Sequence, residues 1–192
     1  VQRCEEIVRW YFFTGGTALS EVYLQHRLSE DLDFFTRSQV NFAKIDLFVD
    51  EMRKDVGFID KKSEILSGLY MITLVFPDGT RLKMDFNEYD FPQVERGVRW
   101  GKIEVDSLFD IAVNKLYTIF SRARARDFVD LYFCLDKVGC DLEMILRRIP
   151  DKFPVSYEQI SIGERLAKIV DLTDYPTMLV PFDRQKMVEY YL

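Results

Sequence analysis

A chain of 192 residues, 48% hydrophobic and 15% aromatic, carries enough apolar surface for one large or two small packed domains, which excludes a disordered chain. Three cysteines (Cys4, Cys134 and Cys140) with no CxxC pair argue against a disulfide framework and a structural zinc site, and a single histidine, His26, leaves little room for a zinc protease or a Ser-His-Asp triad. The net charge of −6 makes the whole surface a poor binder of nucleic acid, although Lys115, Arg122, Arg124 and Arg126 form a local basic cluster.

In chain order, residues 11–14 are aromatic and β-favouring, and stop at Gly15-Gly16. Residues 17–25 predict a short helix with Ala18, Leu19, Val22 and Tyr23 on one side, residues 31–35 a strand, and residues 46–56 a helix. Two β-rich runs, 69–76 and 80–87, flank Pro77-Asp78-Gly79 and predict a hairpin. A further β-like piece over 97–105 precedes Asp106-Ser107, a helix N-cap signal, and helices are predicted over 108–121, 128–138, 142–148 and 160–170. The expected class is α+β: a mixed sheet with flanking helices over 1–105, then a helical domain over 106–192. No apolar run is long enough to span a bilayer and none has signal-peptide order, so a soluble, cytoplasmic chain without a membrane partner is expected.

In Ser29-Glu30-Asp31-Leu32-Asp33-Phe34-Phe35, strand alternation sends Asp31, Asp33 and Phe35 to one face and Leu32 and Phe34 to the other. Two carboxylates on one face repel unless a cation sits between them, and Mg²⁺ takes one or two carboxylates plus substrate phosphates. Alone, the triplet reads equally as a solvated acidic edge. Gly15-Gly16 adds weight, because backbone N–H groups without an obstructing Cβ can approach a phosphate there. On residues 81–87, Leu82, Met84 and Phe86 share one face while Lys83 and Asp85 share the other. Asp85 is thus a third acid, as metal ligand or as base for an incoming hydroxyl, or simply an exposed acid on a half-buried strand.

In the helical half, Ile111, Ala112, Leu116 and Ile119 form an apolar stripe that also contains Lys115 and Arg122. Charges at such positions are costly unless paired or facing a polar cleft. Asp127 lies on the face of Leu131, Cys134, Leu135 and Val138. Asp127 as a cap paired with Arg122 or Arg126 is the plainer alternative; a cleft lined by Lys115, Arg122 and Asp127 is favoured. On that reading Lys115→Met, which keeps the apolar stem, should hold or raise stability.

Taken together, Gly15-Gly16-Thr17-Ala18-Leu19, His26-Arg27-x-Ser29-x-Asp31-x-Asp33-Phe34-Phe35, Lys115 followed by Arg122, and Arg126-Asp127-Phe128-x-Asp130-Leu131 resemble the AbiEii/AbiGii toxin-type nucleotidyltransferases. That family belongs to the DNA polymerase β-like superfamily, with many members toxins of type IV toxin–antitoxin systems. The resemblance runs from about Phe13 to Leu135. It implies a metal-dependent transfer of a nucleoside monophosphate from a nucleoside triphosphate to an acceptor, tRNA or protein being favoured, with a cognate antitoxin as a further partner. It assigns Gly15, Gly16, Ser29, Lys115 and Arg122 to nucleotide binding, Asp31, Asp33 and Asp85 to Mg²⁺ or Mn²⁺, and Asp31, Asp33, Asp85, Lys115 and Asp127 to catalysis. A transferase acting on a small molecule, of the antibiotic-modifying kind, and a nucleotide-binding module without turnover are the rival readings.

Overall fold

The computed structural model describes residues 4–155 and 162–192. They form two compact units that are not consecutive stretches of sequence. The first comprises the chain up to Ala18, Ser29–Asp90 and Val98–Asp106; the second comprises Leu19–Leu28, Phe91–Gly97 and Ser107–Leu192.

The first unit is built on seven strands: β1 (Phe12–Thr14), β2 (Asp31–Thr36), β3 (Asp60–Leu66), β4 (Leu69–Val75), β5 (Arg81–Glu88), β6 (Val98–Trp100) and β7 (Ile103–Val105). They lie in the order β3-β4-β5-β2-β1-β7-β6. The β2–β5 and β1–β7 pairs are parallel and the other four are antiparallel. Period-two alternation separates the faces of the sheet. Tyr70, Ile72, Leu74, Met84, Phe86 and Phe34 are buried on one, where the rings of Phe34 and Phe86 stack. Truncating Phe86 to Ala would cost about 3–5 kcal/mol through lost transfer energy and the cavity left behind.

Helix α3 (Phe42–Val56) covers that apolar face, with Ile45, Phe48 and Val49 buried at helical spacing. The Asn41 side chain caps it by accepting from the Lys44 N–H, and Gly57 ends it in the left-handed region at φ 82°. Its Asp46 accepts from the hydroxyl of Tyr70 and from Lys61, tying the helix to β4 and β3. At the hairpin between β4 and β5, the Asp78 carboxylate accepts from both the N–H and the hydroxyl of Thr80, as the Pro-Asp-Gly signal predicts.

The second unit contains α4 (Leu108–Ser121), α5 (Ala125–Val138), α6 (Leu142–Lys152), α7 (Ile162–Ala167) and α8 (Arg184–Tyr191). Ser107 caps α4 by accepting from the Asp110 N–H. Ile111, Ala112, Leu116 and Ile119 are buried, as the apolar stripe predicts. Asp110, fully buried, accepts from the N–H groups of Val94 and Glu95, from Ser107 and from Lys152. The hydroxyl of Tyr191 on α8 donates to the carbonyl of Phe128 on α5.

Several elements differ from the sequence expectation. Helix α1 (Glu5–Trp10), β3 and α8 were not foreseen. The piece over 97–105 is a two-stranded hairpin turned at Gly101. The helix expected over 17–25 starts two residues earlier as α2 (Gly15–Ala18), then widens into a π-helix, Leu19–Leu24. Of the helix expected over 160–170, residues 160 and 161 lie outside the described residues.

Candidate active site

The face of the sheet opposite α3 carries the acidic residues. Asp33 on β2 stands directly beside Asp85 on the parallel strand β5, and Asp31 stands beside Lys83 two residues back. Paired residues on neighbouring strands share a face, so all three acids lie on one side. The register adds Thr14 of β1 opposite Asp33. The Lys83 ammonium donates to Asp85 Oδ2 at 2.6 Å. Asp85 Oδ1 is buried and meets no hydrogen-bond partner among the described residues.

Gly15 follows β1 at φ 75°, a conformation that disfavours any residue with a Cβ. A Cβ built there would run into the Asp33 carboxylate. The glycine therefore does two jobs: it makes the turn and lets a backbone segment approach an acid that a side chain would displace. Thr17 fastens this turn to β2, its hydroxyl lying 2.8 Å from the Ser29 hydroxyl and close to the Asp31 carbonyl. Ser29, assigned to nucleotide binding from the resemblance, is thus part of the contact that holds the glycine turn in place.

Do these residues fit a divalent metal? Among the described residues, no three His, Cys, Asp or Glu side chains already converge as a metal cluster. The donor set is nevertheless that of a hard cation. Three carboxylates lie on one face, with one buried oxygen lacking a partner, and phosphates would complete the shell as Mg²⁺ prefers. The acids fit the ion.

The second unit holds Lys115 and Asp127 in a separate buried cluster. Lys115 Nζ lies 2.8 Å from Asp127 Oδ1 and 2.6 Å from Asp130 Oδ2. Arg27 grips Asp130 through both oxygens, at 2.6 and 2.8 Å, and His26 Nε2 lies 2.9 Å from Oδ1. A carboxylate only accepts, so His26 Nε2 is the donor. The two-pronged arginine contact is the strong form of this bond.

Burial alone pushes the Asp130 carboxyl up, but the Lys115 charge and the bonds from Arg27 and His26 outweigh it and hold the group well below the usual range. Burial likewise pushes Lys115 down, and the carboxylates of Asp130 and Asp127 outweigh it, raising its pKa above that of an ordinary lysine. Asp127 Oδ2 is buried and without a hydrogen-bond partner among the described residues. It is an acceptor with capacity left.

Arg122 is placed otherwise than the stripe predicts. Helix α4 ends at Ser121, and Arg122 is its exposed C-cap, with extended backbone at φ −148°. Helical phase cannot be extrapolated past a cap. Lys115, rather than Arg122, occupies Asp127. Sequence reasoning gave no role to His26, Arg27 or Asp130. The available signal was Asp130, three residues after Asp127 and four before the buried Cys134, hence a second acid on an apolar helix face.

A mixed sheet with acids on two adjacent parallel strands, beside a glycine turn, is the architecture of a nucleotidyltransferase-type chain. Residues 9–184 match the family of nucleotidyl transferase AbiEii toxins of type IV toxin–antitoxin systems, and the chain belongs to that family. It is 34% identical over 148 residues to Uncharacterized protein aq_aa25 of Aquifex aeolicus (strain VF5), a match covering 74% of this chain and 66% of that relative. The fold is similar to the crystal structure of JHP933 from Helicobacter pylori, with TM-score 0.66 and 18% identity over 99% of this chain and 84% of that one. It is similar too to a candidate nucleotidyltransferase from H. pylori, with TM-score 0.65 and 18% identity over 99% and 87% of the two chains. Among the described residues no helix is long and apolar enough to cross a membrane.

Proposed function

We propose that the chain is a metal-dependent nucleotidyltransferase that moves a nucleoside monophosphate from a nucleoside triphosphate to a macromolecular acceptor, tRNA or protein, in the cytoplasm. The observation that carries this reading is the side-by-side placement of Asp33 and Asp85, with Asp31 on the same face and Gly15 pressed against Asp33. An acceptor oxygen attacks the α-phosphorus, the bond from that phosphorus to the bridging oxygen breaks, and pyrophosphate leaves.

Asp31, Asp33 and Asp85 would hold Mg²⁺ or Mn²⁺, which neutralises charge on the triphosphate and on the entering and departing oxygens. The Gly15-Gly16 backbone would approach the phosphates where no Cβ intervenes. Asp85 Oδ1, buried and without a hydrogen-bond partner among the described residues, would serve either as the ligand for that ion or, in place of that role, as the base for an acceptor hydroxyl. In the second unit, Lys115, with Asp127 and Asp130 fixing its ammonium, is assigned to the triphosphate on the resemblance, as is the exposed Arg122. Family membership supports a toxin role with a cognate antitoxin.

The test is incubation of purified protein with each labelled triphosphate, Mg²⁺ and total tRNA, beside the variants Asp31→Asn, Asp33→Asn and Asp85→Asn. Label on the acceptor with the parent chain and none with the variants is expected, and Asp33→Asn should relieve growth arrest on expression. Equal triphosphate affinity in Mg²⁺ and in EDTA, measured by calorimetry, would remove the three acids from this role.

A further inference from the structure

On the same face of the sheet, beyond Asp85, lies a groove of about 230 Å³ whose floor includes Met71 and Val75 and whose charged rim includes Lys62, Arg81 and Lys83. The register explains it. Lys62 of β3 pairs with Thr73 of β4, which pairs with Lys83 of β5, which pairs with Asp31 of β2. One lateral row therefore runs from a lysine on the edge strand to the acids. Lys83 lies roughly 7 Å along β5 from Asp85 and Arg81 as far again, while Lys62 stands roughly 10 Å across the sheet from Lys83. Lys61, next in sequence to Lys62, is on the opposite face and spent on Asp46 and Asp50 of α3. Lys62 and Arg81 are exposed. Such a concentration of positive charge stands out in a chain of net charge −6. Among the described residues Glu64 is the one acid in the groove lining, which leaves the balance of the lining positive.

Sheet order gives the groove a direction. Gly15, at the end of β1, flanks the acids on one side, and β5, β4 and β3 extend from them on the other. In-line displacement needs the attacking and leaving oxygens on opposite sides of the reacting phosphorus. With the triphosphate on the glycine side, as proposed above, the basic side is left open to the acceptor.

Resting on the function proposed above, we propose that the groove edged by Lys62, Arg81 and Lys83 binds the phosphate backbone of a single-stranded nucleic-acid end, the acceptor. Among the described residues no aromatic ring lines the groove to stack a base, so binding follows charge and is indifferent to sequence.

The experiment uses the full chain and a labelled 12-nucleotide single-stranded RNA followed by fluorescence anisotropy in EDTA over a salt series. K62E/R81E spares Lys83, which holds Asp85. It should weaken binding at least tenfold and reduce the slope of log K against log salt by about 1.4, at about 0.7 per phosphate contact. K62R/R81K, which keeps both charges, should restore binding, and that rescue guards against misfolding as the cause. Unchanged RNA affinity in K62E/R81E, an affinity independent of salt, or preferential displacement of the RNA by polyglutamate at equal charge concentration would each overturn the proposal. The Mg²⁺–triphosphate affinity of the parent chain, by calorimetry, reports on the proposed function separately. RNA binding lost in K62E/R81E with no triphosphate binding in the parent would sink that function and keep the groove. Triphosphate binding without RNA binding would do the reverse.

Discussion

Lys115→Met is the most informative single change, because the structure reverses what periodicity predicts for it. An unpaired lysine in an apolar stripe would be relieved by Met. Here the ammonium lies within 2.8 Å of two carboxylates, Asp127 and Asp130, whose residues are 2% and 0% exposed. Met preserves the stem and removes the cation that Asp127 and Asp130 share, leaving Asp130 with the Arg27 fork and the bond from His26. Removing one partner of a buried ion pair costs about 3–5 kcal/mol. Asp130 keeps its arginine fork, which favours the lower end of that range. With a urea m-value of about 2 kcal/mol/M, the unfolding midpoint should fall by about 1.5–2.5 M. Adding Asp127→Asn should recover part of the loss, since the two sites are directly coupled. A buried carboxylate stripped of its cation gains by taking up a proton, so the deficit should be smaller at pH 5 than at pH 8. A Lys115→Met protein as stable as the parent at pH 7, or more so, would refute the assignment of the ammonium to these two acids.

Other outcomes follow from the same geometry. Gly15→Ala should lose about 1–2 kcal/mol from the left-handed backbone alone. Because the new Cβ displaces Asp33, triphosphate affinity by calorimetry should fall further than the thermal midpoint suggests, and a silent variant would remove the close approach from the site. The carboxyls of Asp130 and Asp110 are both held below their ordinary pKa, in each case because cationic and hydrogen-bonding partners outweigh burial. A depressed carboxyl contributes stability that is fully present above its unfolded pKa of about 3.9 and is lost as pH falls through the folded value. The urea midpoint should therefore be flat from pH 7 to 5 and fall below about pH 4; a decline already complete at pH 5 would contradict both assignments. Lys115 is raised, so its contribution is complete below an unfolded pKa of about 10.4 and is lost only at higher pH, which predicts no alkaline loss from it before about pH 10.

Much of this was legible because local chemistry dictated it. Ser107 capped the helix exactly where an N-cap was expected, and Pro77-Asp78-Gly79 turned the predicted hairpin. Alternation alone placed Asp31, Asp33 and Asp85 on matching faces of their own strands. What alternation cannot supply is which strands adjoin, and it was the parallel β2–β5 pairing that set Asp33 beside Asp85. Strand β3 escaped notice because Asp-Lys-Lys-Ser-Glu is polar on both faces, as an exposed edge strand permits. The cluster around Asp130 was hidden for a different reason. Its arginine and histidine come from 103 and 104 residues away, so no local pattern joins them. Arg122 shows the opposite error, a periodic argument carried one residue beyond the end of its helix.

The interleaving of the two units in sequence bears on how the chain is made. Thr14, at the end of β1, donates to Asp106, 92 residues later, and β1 takes β7 as its parallel neighbour. At a synthesis rate of about 5–20 residues per second, the first strand waits roughly 5–20 s for that neighbour to leave the ribosome. The segment Leu19–Leu28, with the Arg27 and His26 that grip Asp130, waits longer still. The acids on β2 are synthesised early but are flanked on both sides only after β5 has emerged and β1 is secured. A growing chain of this design cannot assemble its carboxylate face before most of the first unit exists.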